Sequence, residues 1–268
     1  VADPQTQNQI LGALGGVISI GSIFWCVLGT FPYYKRQAAY RGRSLNYSDD
    51  QGGSSFFQQI KVVFSNRPFL FVVGFYMISW LALQITATII PFYVTFWMGA
   101  DDYFLAALLV QGTAILMMVI CNLLAKRIGK KGLYFLGSGI WVVVQIALFF
   151  LQPGQLSFLY GLCVIASFGV ATAYVVPWSI LPDVIELDEL NTGQRREGIF
   201  YAFMTLLQKI GLAVGIFLVS LALQTSGFIK EAAEQPESAL LAIRFFMGPV
   251  PLMLLLCGMV LTYFYPIS

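Results

Sequence analysis

Long apolar runs separated by short polar connections dominate the pattern along this chain. A helix needs about 20 apolar residues to cross the hydrocarbon core of a bilayer, and seven segments reach that length. These segments are residues 10–31, 69–97, 103–125, 132–151, 156–182, 198–224 and 239–264. The pattern therefore predicts an all-α membrane protein with seven transmembrane helices.

The basic residues between the spans predict their orientation, because lysine and arginine concentrate in cytoplasmic loops. Twelve of the fifteen basic residues lie in the connections 32–68, 126–131 and 183–197, which share one side of the membrane if all seven spans cross it. The connections on the opposite side carry one, Lys230. We therefore expect a multi-pass protein of the plasma (inner) membrane, with its amino end outside and its carboxyl end in the cytoplasm.

Composition excludes several other classes of protein. Only 10% of the residues are charged and 58% are hydrophobic, whereas soluble domains carry about 25% charged residues. The net charge of +2 is too small to indicate a nucleic-acid partner, and the absence of histidine excludes histidine-based metal sites and triads. No carboxylate pair or Ser/Lys arrangement has a catalytic spacing. We therefore expect neither an enzyme nor a cofactor, and the lipid bilayer as a partner.

The long connection 32–68 contains two different segments. Residues 42–53 are polar and glycine-containing, which is typical of a flexible linker. Beyond them, apolar residues recur on one helical face, which predicts a short helix lying in the membrane interface. That face consists of Phe56, Phe57, Ile60, Val63 and Phe64.

Lys209 is a cation in the middle of an apolar span. It lies eleven residues into the span 198–224, which places it about 17 Å along the helix, near the bilayer centre. An ammonium there costs roughly 2.5–3.5 kcal/mol on insertion scales. Thr205, one turn earlier, shares its face, and Gln208 is adjacent. We favour a role in substrate or ion coupling; the alternative is a structural pairing with a neighbouring helix.

The end of the span 156–182 combines aromatic residues with two prolines. Pro177 and Pro182 weaken the helix and free backbone carbonyls, as in the interrupted helices that line transport paths. Tyr174 and Trp178 lie one turn apart and could form an aromatic wall of that path. The alternative is an interfacial aromatic belt, which suits Trp178 better than Tyr174.

Three further features of the spans and connections predict local interactions. Asp183, Glu186, Arg195 and Arg196 in the connection 183–197 are either solvated or form a salt-bridge latch that holds helix bundles together in one conformation. Arg244, a few residues inside the last span, is expected to extend to the outer interface. The spacing Gly211-x-x-x-Gly215 allows a close helix contact.

Three motifs follow one another late in the chain: PWSILPD at 177–183, TGQRREG at 192–198 and KIG at 209–211. Together with the basic, glycine-containing connection 126–131, this order resembles the glycoside–pentoside–hexuronide:cation symporters of the major facilitator superfamily, which include melibiose permease and the lysophospholipid symporters. Glu186 stands where that family often has a second aspartate. The Pro177-Trp178 pair resembles the lysophospholipid branch more than the melibiose branch.

The resemblance implies a twelve-helix transporter of which this chain provides helices six to twelve. Residues 1–31 would hold helix six, the last of the amino-terminal bundle. Residues 32–68 would be the cytoplasmic connection between the two halves, and 69–268 the carboxyl-terminal six-helix bundle. Helices one to five would then be missing partners of this chain, which agrees with its start at Val1 rather than at a methionine.

The resemblance also implies a cation-coupled symporter for sugars or related small solutes that works by alternating access. Lys209 would lie near the substrate and the coupling ion, Na⁺ or H⁺, and Tyr174 and Thr205 would face the central cavity. The carboxylates that bind the cation would lie in the amino-terminal helices. The alternatives are a lysophospholipid symporter of the same family, a non-transporting membrane protein such as a lipid conduit, and a complete seven-span receptor.

Overall fold

The computed structural model describes residues 16–17, 19–32, 64, 66–100, 103–193, 196–230, 232 and 234–265. All regular secondary structure in these ranges is helical, which confirms the predicted all-α class. The chain divides into two units, Val1–Ser54 and Ser55–Ser268.

The first unit contributes one described helix, α1, Ser19–Pro32. It falls in the predicted span 10–31 and is apolar. The hydroxyl of Thr30 donates to the carbonyl oxygen of Cys26 at 2.8 Å, which satisfies the polar group within the helix itself. The linker predicted at 42–53 lies outside the described residues, as does the interfacial helix predicted at 56–64 except for Phe64.

The described residues of the second unit from Arg67 onward form six helices. Five of its segments are long and apolar enough to cross a membrane: Arg67–Trp97, Phe104–Phe150, Leu156–Thr192, Glu197–Thr225 and Glu237–Tyr263. We number the helices α2 (Arg67–Phe92, continued by a π-helical turn at Tyr93–Trp97), α3 (Phe104–Phe150), α4 (Leu156–Thr192), α5 (Glu197–Thr225), α6 (Glu237–Met247) and α7 (Pro249–Tyr263).

Helix α3 contains two of the predicted spans, 103–125 and 132–151. Its backbone leaves helical geometry at Gly129, where φ is 75° and ψ is 164°. Only glycine adopts this conformation readily, so the chain changes direction between the two predicted spans. The described residues hold five candidate spans, and the count of seven crossings stays a prediction.

Helix α4 is longer than predicted. The connection expected at 183–197 is helical as far as Thr192, and the helix ends at Gly193, whose φ is 68° and whose N–H donates to Glu189 at 2.8 Å. Pro177 and Pro182 both lie inside it. The prediction of a loop from Asp183 onward was therefore wrong over ten residues. Asp183, Glu186 and Glu189 lie on the more exposed side of α4, whereas Asp188 is buried on the same side as Val184 and Ile185.

The last predicted span, 239–264, is divided into α6 and α7. The break falls at Gly248, with φ −111° and ψ −82°, directly before Pro249. A Cβ on Gly248 would lie 2.8 Å from the Cβ of Phe149 and 3.0 Å from the carbonyl oxygen of Gln145. Glycine therefore permits close contact with α3, and the following proline lacks the N–H that a continuous helix would use.

The two ends of this helical unit differ in the kind of contact that joins the helices. At one end, ion pairs and hydrogen bonds described below join Asn66, Lys130, Lys131, Asp183, Asp188, Arg196 and Tyr265. We call this the basic end. At the opposite end, Trp97 Nε1 donates to the carbonyl of Leu151 at 3.0 Å, and Ser238 Oγ donates to that of Ser226 at 2.7 Å. This grouping agrees with the predicted alternation of the connections in this unit.

Helix α2 packs against α4, α5, α6 and α7. Its contact with α5 is made at backbone level. A Cβ on Gly211 would lie 2.9 Å from Trp80 Cδ1, and a Cβ on Gly215 would lie 2.8 Å from Gln84 Cβ. The glycine pair predicted for close helix packing thus makes such a contact, and it fixes the rotation of α5 about its axis.

We expect Gly215→Ala to lower the melting temperature of the protein in detergent, because the added Cβ has no room beside Gln84. Overpacking of this kind costs about 1–3 kcal/mol. The matched control is Gly161→Ala in α4, where a Cβ meets no atom within 4 Å and alanine is the better helix former. Equal melting temperatures for the two variants would contradict the close contact.

Candidate functional site

A chain of aromatic rings joins α2, α4 and α5. Trp80 packs edge-on against Tyr174, with ring centroids 5.3 Å apart, and Tyr76 packs edge-on against Trp178 at 6.2 Å. Trp178 in turn stacks on Tyr201 of α5 at 6.2 Å. The structure therefore brings the predicted pair Tyr174 and Trp178 into one aromatic surface, with three rings contributed by the neighbouring helices.

Gln208 takes part through its backbone. Its carbonyl oxygen accepts a hydrogen bond from Trp80 Nε1 at 3.0 Å. Because Trp80 also contacts Tyr174 and Gly211, this one side chain holds α5 against α2 directly beside Lys209. The predicted role of the Gln208 side chain in substrate or ion coupling is not tested by this contact.

Lys209 lies on the face of α5 that points away from α2. Gly211, which contacts α2, is two residues later and therefore about 200° around the helix axis. Within this unit Lys209 and Thr205 are both exposed. The Thr205 hydroxyl donates back to the carbonyls of Tyr201 and Ala202 rather than to Lys209. No carboxylate among the described residues lies within ion-pair distance of Lys209.

The surface around Lys209 combines small, polar and apolar side chains. The small or polar residues on its face of α5 are Ala202, Thr205, Ala213 and Ser220. Ile216, two turns after Lys209, and Leu206, one turn before it, are exposed on the same side of the helix. The ammonium therefore stands on an exposed helix face that is partly polar and partly apolar.

A second feature is an apolar pocket between α2, both halves of α3 and α4, with a cavity volume of about 190 Å³. Thr86 and Gln111 are its polar members. The remaining lining is apolar or aromatic: Leu83, Ala87, Ile90, Pro91, Tyr103, Ala107, Val110, Trp141, Leu148, Cys163, Ala166 and Val170. Such a lining suits a hydrocarbon group rather than a hydroxyl-rich one.

At the basic end, two consecutive lysines after Gly129 contact different helices. Lys130 Nζ lies 2.6 Å from Asp183 Oδ2 and donates to the carbonyl of Ser179 at 2.8 Å. Lys131 Nζ donates to the carbonyls of Tyr263 and Tyr265 at 3.0 Å each. Lys130 therefore ties the connection 126–131 to the side of α4, and Lys131 ties it to the carbonyl end of α7, where a cation is favourable.

A second ion pair at this end is more deeply buried. Arg196 Nη2 lies 3.0 Å from Asp188 Oδ2, with side-chain exposures of 18% and 8%. The other oxygen of Asp188 accepts from Asn66 Nδ2 at 3.1 Å. Asn66 itself caps α2, its Oδ1 accepting from the N–H of Phe69 at 3.0 Å. Asp188 therefore links the ends of α2, α4 and α5.

The four predicted latch residues do not pair with one another as far as the described residues show. Asp183 pairs with Lys130, and Arg196 pairs with Asp188. Glu186 is exposed and lines a cavity of about 240 Å³ with Glu189, Glu197, Pro182, Ile185 and Tyr201. Arg195 lies outside the described residues. The observed pairs stand within one unit, and a latch between two bundles stays a prediction.

Tyr265, just beyond α7, completes this end. Burial raises the pKa of its phenol to about 12, and the negative charge of Asp183 acts in the same direction. The phenol therefore stays uncharged at neutral pH. The charges of the basic end are then those of its lysines, arginines and carboxylates.

Sequence reasoning missed the residues that complete these groups. Asn66 had a recognisable signal, since an asparagine before Arg67-Pro68 is typical of a helix start. Trp80 and Tyr76 also stand one turn apart, as Tyr174 and Trp178 do. The pairing of Lys130 with Asp183, and of Asp188 with Arg196, had no signal along the chain because it depends on how helix ends meet.

The apolar helices, the segregated charges and the aromatic surface together define a multi-pass helical membrane protein. A family model described as MFS/sugar transport protein matches residues 4–268. The chain therefore belongs to this family of the major facilitator superfamily, as its motifs indicated.

Its relatives are named as symporters and carriers. An uncharacterized symporter of Synechocystis sp. is 52% identical over 218 residues, covering 79% of this chain and 40% of the relative. The human sodium-dependent lysophosphatidylcholine symporter 1 is 28% identical over 221 residues (80% and 40%). A glucuronide carrier protein homolog of Escherichia coli (strain K12) is 28% identical over 207 residues (76% and 45%). The chain thus spans about two-fifths of the length of these relatives.

We expect Asp188→Asn to destabilise the protein much more than Asp183→Asn. Removing one partner of a buried ion pair costs about 3–5 kcal/mol, whereas exposed pairs contribute about 0–1 kcal/mol. The Lys130–Asp183 pair is 39% and 43% exposed, so Asp183→Asn is the matched control. Melting temperatures in detergent would test this, and equal shifts would show that Asp188 does not link the helix ends.

Proposed function

We propose that this chain is the carboxyl-terminal part of a cation-coupled secondary transporter that carries sugars or related small solutes by alternating access. The observation that carries the proposal is the position of Lys209. It is an exposed ammonium on the face of α5 that points away from α2.

Lys209 is exposed at a depth where an unpaired ammonium is costly. It lies twelve residues after Glu197, the first residue of α5, or about 18 Å along the helix. That is near the middle of a hydrocarbon core about 30 Å thick. An ammonium that faced lipid at this depth would cost roughly 2.5–3.5 kcal/mol or more. A water-filled cavity shared with other helices is therefore the favourable environment for Lys209.

The helices that would complete this cavity belong to the proposed amino-terminal half. In this arrangement α1 is helix six and the second unit forms helices seven to twelve, with α3 supplying two crossings on either side of Gly129. Residues 32–68 connect the halves on the cytoplasmic side, and the basic end and the carboxyl terminus lie in the cytoplasm. The two halves rock about a midplane site, in the plasma (inner) membrane.

The members of the aromatic surface that are not buried, Tyr174, Trp178 and Tyr201, support a role in substrate binding. Tyr201 stands two turns before Lys209 on α5 and stacks on Trp178. Tyr174 joins the same surface through its ring contact with Trp80. Aromatic faces and a nearby cation suit a ring-shaped, hydroxyl-bearing or anionic solute, with Lys209 and Thr205 orienting it. The carboxylate of a glucuronide is one such anion, as the name of the Escherichia coli relative indicates for that protein.

The coupling ion, Na⁺ or H⁺, would bind mostly to the amino-terminal helices, and no other cofactor is needed. The predicted carboxylate site there agrees with the position of Lys209, which has no acidic partner among the described residues of its own unit. At the cytoplasmic end, Asp183, Glu186 and Arg195 would exchange their partners as the halves separate, while Arg196 would stay paired with Asp188. Such an exchange would make this end the gate.

We expect Lys209→Ala in the full-length protein to reduce gradient-driven substrate accumulation at least ten-fold, because the ammonium would orient substrate or couple it to the ion. Membrane expression should be unchanged. Lys230→Ala is the matched control, since Lys230 is an exposed lysine in a connection. Normal uptake by Lys209→Ala at normal expression would oppose the role of Lys209 and remove the main support for the proposal.

A lysophospholipid is the second candidate substrate, and the apolar pocket between α2, α3 and α4 favours it. Its cavity of about 190 Å³ is lined almost entirely by apolar side chains, which would receive part of an acyl chain. Several relatives carry lysophosphatidylcholine in their names, the human protein among them. In that case Lys209 would meet the phosphate.

One uptake assay separates these candidates. The full-length protein in vesicles would be offered a glucuronide and a lysophosphatidylcholine, each with a Na⁺ gradient, a proton gradient or none. For the main proposal, we expect accumulation of the glucuronide, and Ala166→Trp in the apolar pocket should leave it unchanged. Accumulation of the lysolipid that Ala166→Trp abolishes would establish the second candidate. Lipid flux that depends on neither the Na⁺ gradient nor the proton gradient would identify a passive conduit instead.

A further inference from the structure

At the end of the bundle opposite the basic end, Arg244 is held in an unusual setting. Its guanidinium carbon lies 4.3 Å from the ring centroid of Trp97 and 5.0 Å from that of Phe149. Its Nη2 donates to the carbonyl of Phe149 at 2.8 Å. The aromatic faces attract the cation, and together these contacts hold the guanidinium in place. The expectation that Arg244 simply extends into the interface therefore describes only part of its environment.

The guanidinium is fixed without being neutralised. No carboxylate among the described residues lies within ion-pair distance of it, and its Nε is buried without a hydrogen-bond partner there. Arg244 stands in the second turn of α6, seven residues after Glu237, or about 10 Å along the axis. This depth is close to the membrane interface rather than to the bilayer centre.

Arg244 lines a cavity of about 480 Å³ together with Trp97, Glu237, Ser238, Leu240 and Leu241. This volume is within the range of about 300–1,000 Å³ that is typical of small-molecule sites. Glu237 is exposed and forms no ion pair with Arg244. The cavity therefore presents one fixed positive charge and one separate negative charge, with apolar side chains between them.

We propose that this cavity binds the headgroup of a zwitterionic membrane phospholipid, with the phosphate at Arg244 and the ammonium at Glu237. A guanidinium recognises phosphate through charge-assisted hydrogen bonds, and the carboxylate selects a headgroup that also carries a cation. The acyl chains extend along the apolar outer surface of α6, where Leu241 and Phe245 are exposed. The site lies at the opposite end from the basic end and is distinct from the surface around Lys209.

Native mass spectrometry of the full-length protein in detergent tests this proposal. The probes are dioctanoyl phosphatidylethanolamine, the anionic lipid dioctanoyl phosphatidylglycerol and the headgroup-free dioctanoylglycerol. We expect the wild type to prefer phosphatidylethanolamine, and Arg244→Gln to weaken its binding roughly ten-fold to a hundred-fold, as for the loss of a charged hydrogen bond. Wild-type affinity in Arg244→Gln would overturn the site.

Glu237→Gln gives an independent readout, since this residue is exposed and its replacement should not disturb folding. We expect it to lose the preference for phosphatidylethanolamine over phosphatidylglycerol, because the carboxylate no longer repels the anionic lipid. Glu234→Gln is the matched control, being an exposed carboxylate in the same connection that does not line the cavity. An unchanged preference in Glu237→Gln would refute the proposal even if Arg244→Gln failed to fold.

Two further probes separate a membrane lipid from other sources of the same chemistry. Soluble phosphoethanolamine competing as well as the dioctanoyl lipid would overturn the assignment to a lipid. A lysophospholipid binding at least ten-fold more tightly than the diacyl lipid would overturn it in favour of a substrate. Because binding is measured without transport, the result does not depend on the proposed function.

Discussion

The contact between α2 and α5 determines which way Lys209 points. Gly211 and Gly215 bring the backbone of α5 against Trp80 and Gln84, and the indole of Trp80 donates to the carbonyl of Gln208. With this face of α5 packed, helical geometry places Lys209 about 200° from Gly211, on the far side of the helix. One packing contact therefore stabilises the unit and also directs the ammonium out of it.

The two ion pairs at the basic end differ in how deeply they are buried. The Lys130–Asp183 pair is partly exposed, and exposed pairs contribute little to stability. The buried Asp188–Arg196 pair, with Asn66, is costly to break. The first pair is thus suited to a contact that would change during the proposed transport cycle, and the second to a fixed joint between helix ends. Sequence reasoning grouped Asp183 and Arg196 together, although they belong to these two different arrangements.

The predictions from sequence succeeded where one strong constraint acts along the chain. Span length and apolarity located the five candidate spans, and the basic connections predicted which ends meet. The same reasoning failed at residues 183–192, because charged residues after Pro182 resemble a loop although the helix continues to Gly193. It could not find the contact of Trp80 with Gln208, because partners far apart in sequence meet only when the helices pack.

The two cations placed inside spans are accommodated in opposite ways, and the contrast bears on function. Arg244 has two aromatic rings and a carbonyl from its own unit. Lys209, placed deeper, has neither a carboxylate partner nor an aromatic ring beneath it among the described residues of its unit. An ammonium kept at that depth for packing alone would be expected to find its partners within the bundle, as Arg244 does. This contrast supports the proposal that Lys209 meets water, substrate or the second half of the transporter rather than a partner in its own unit.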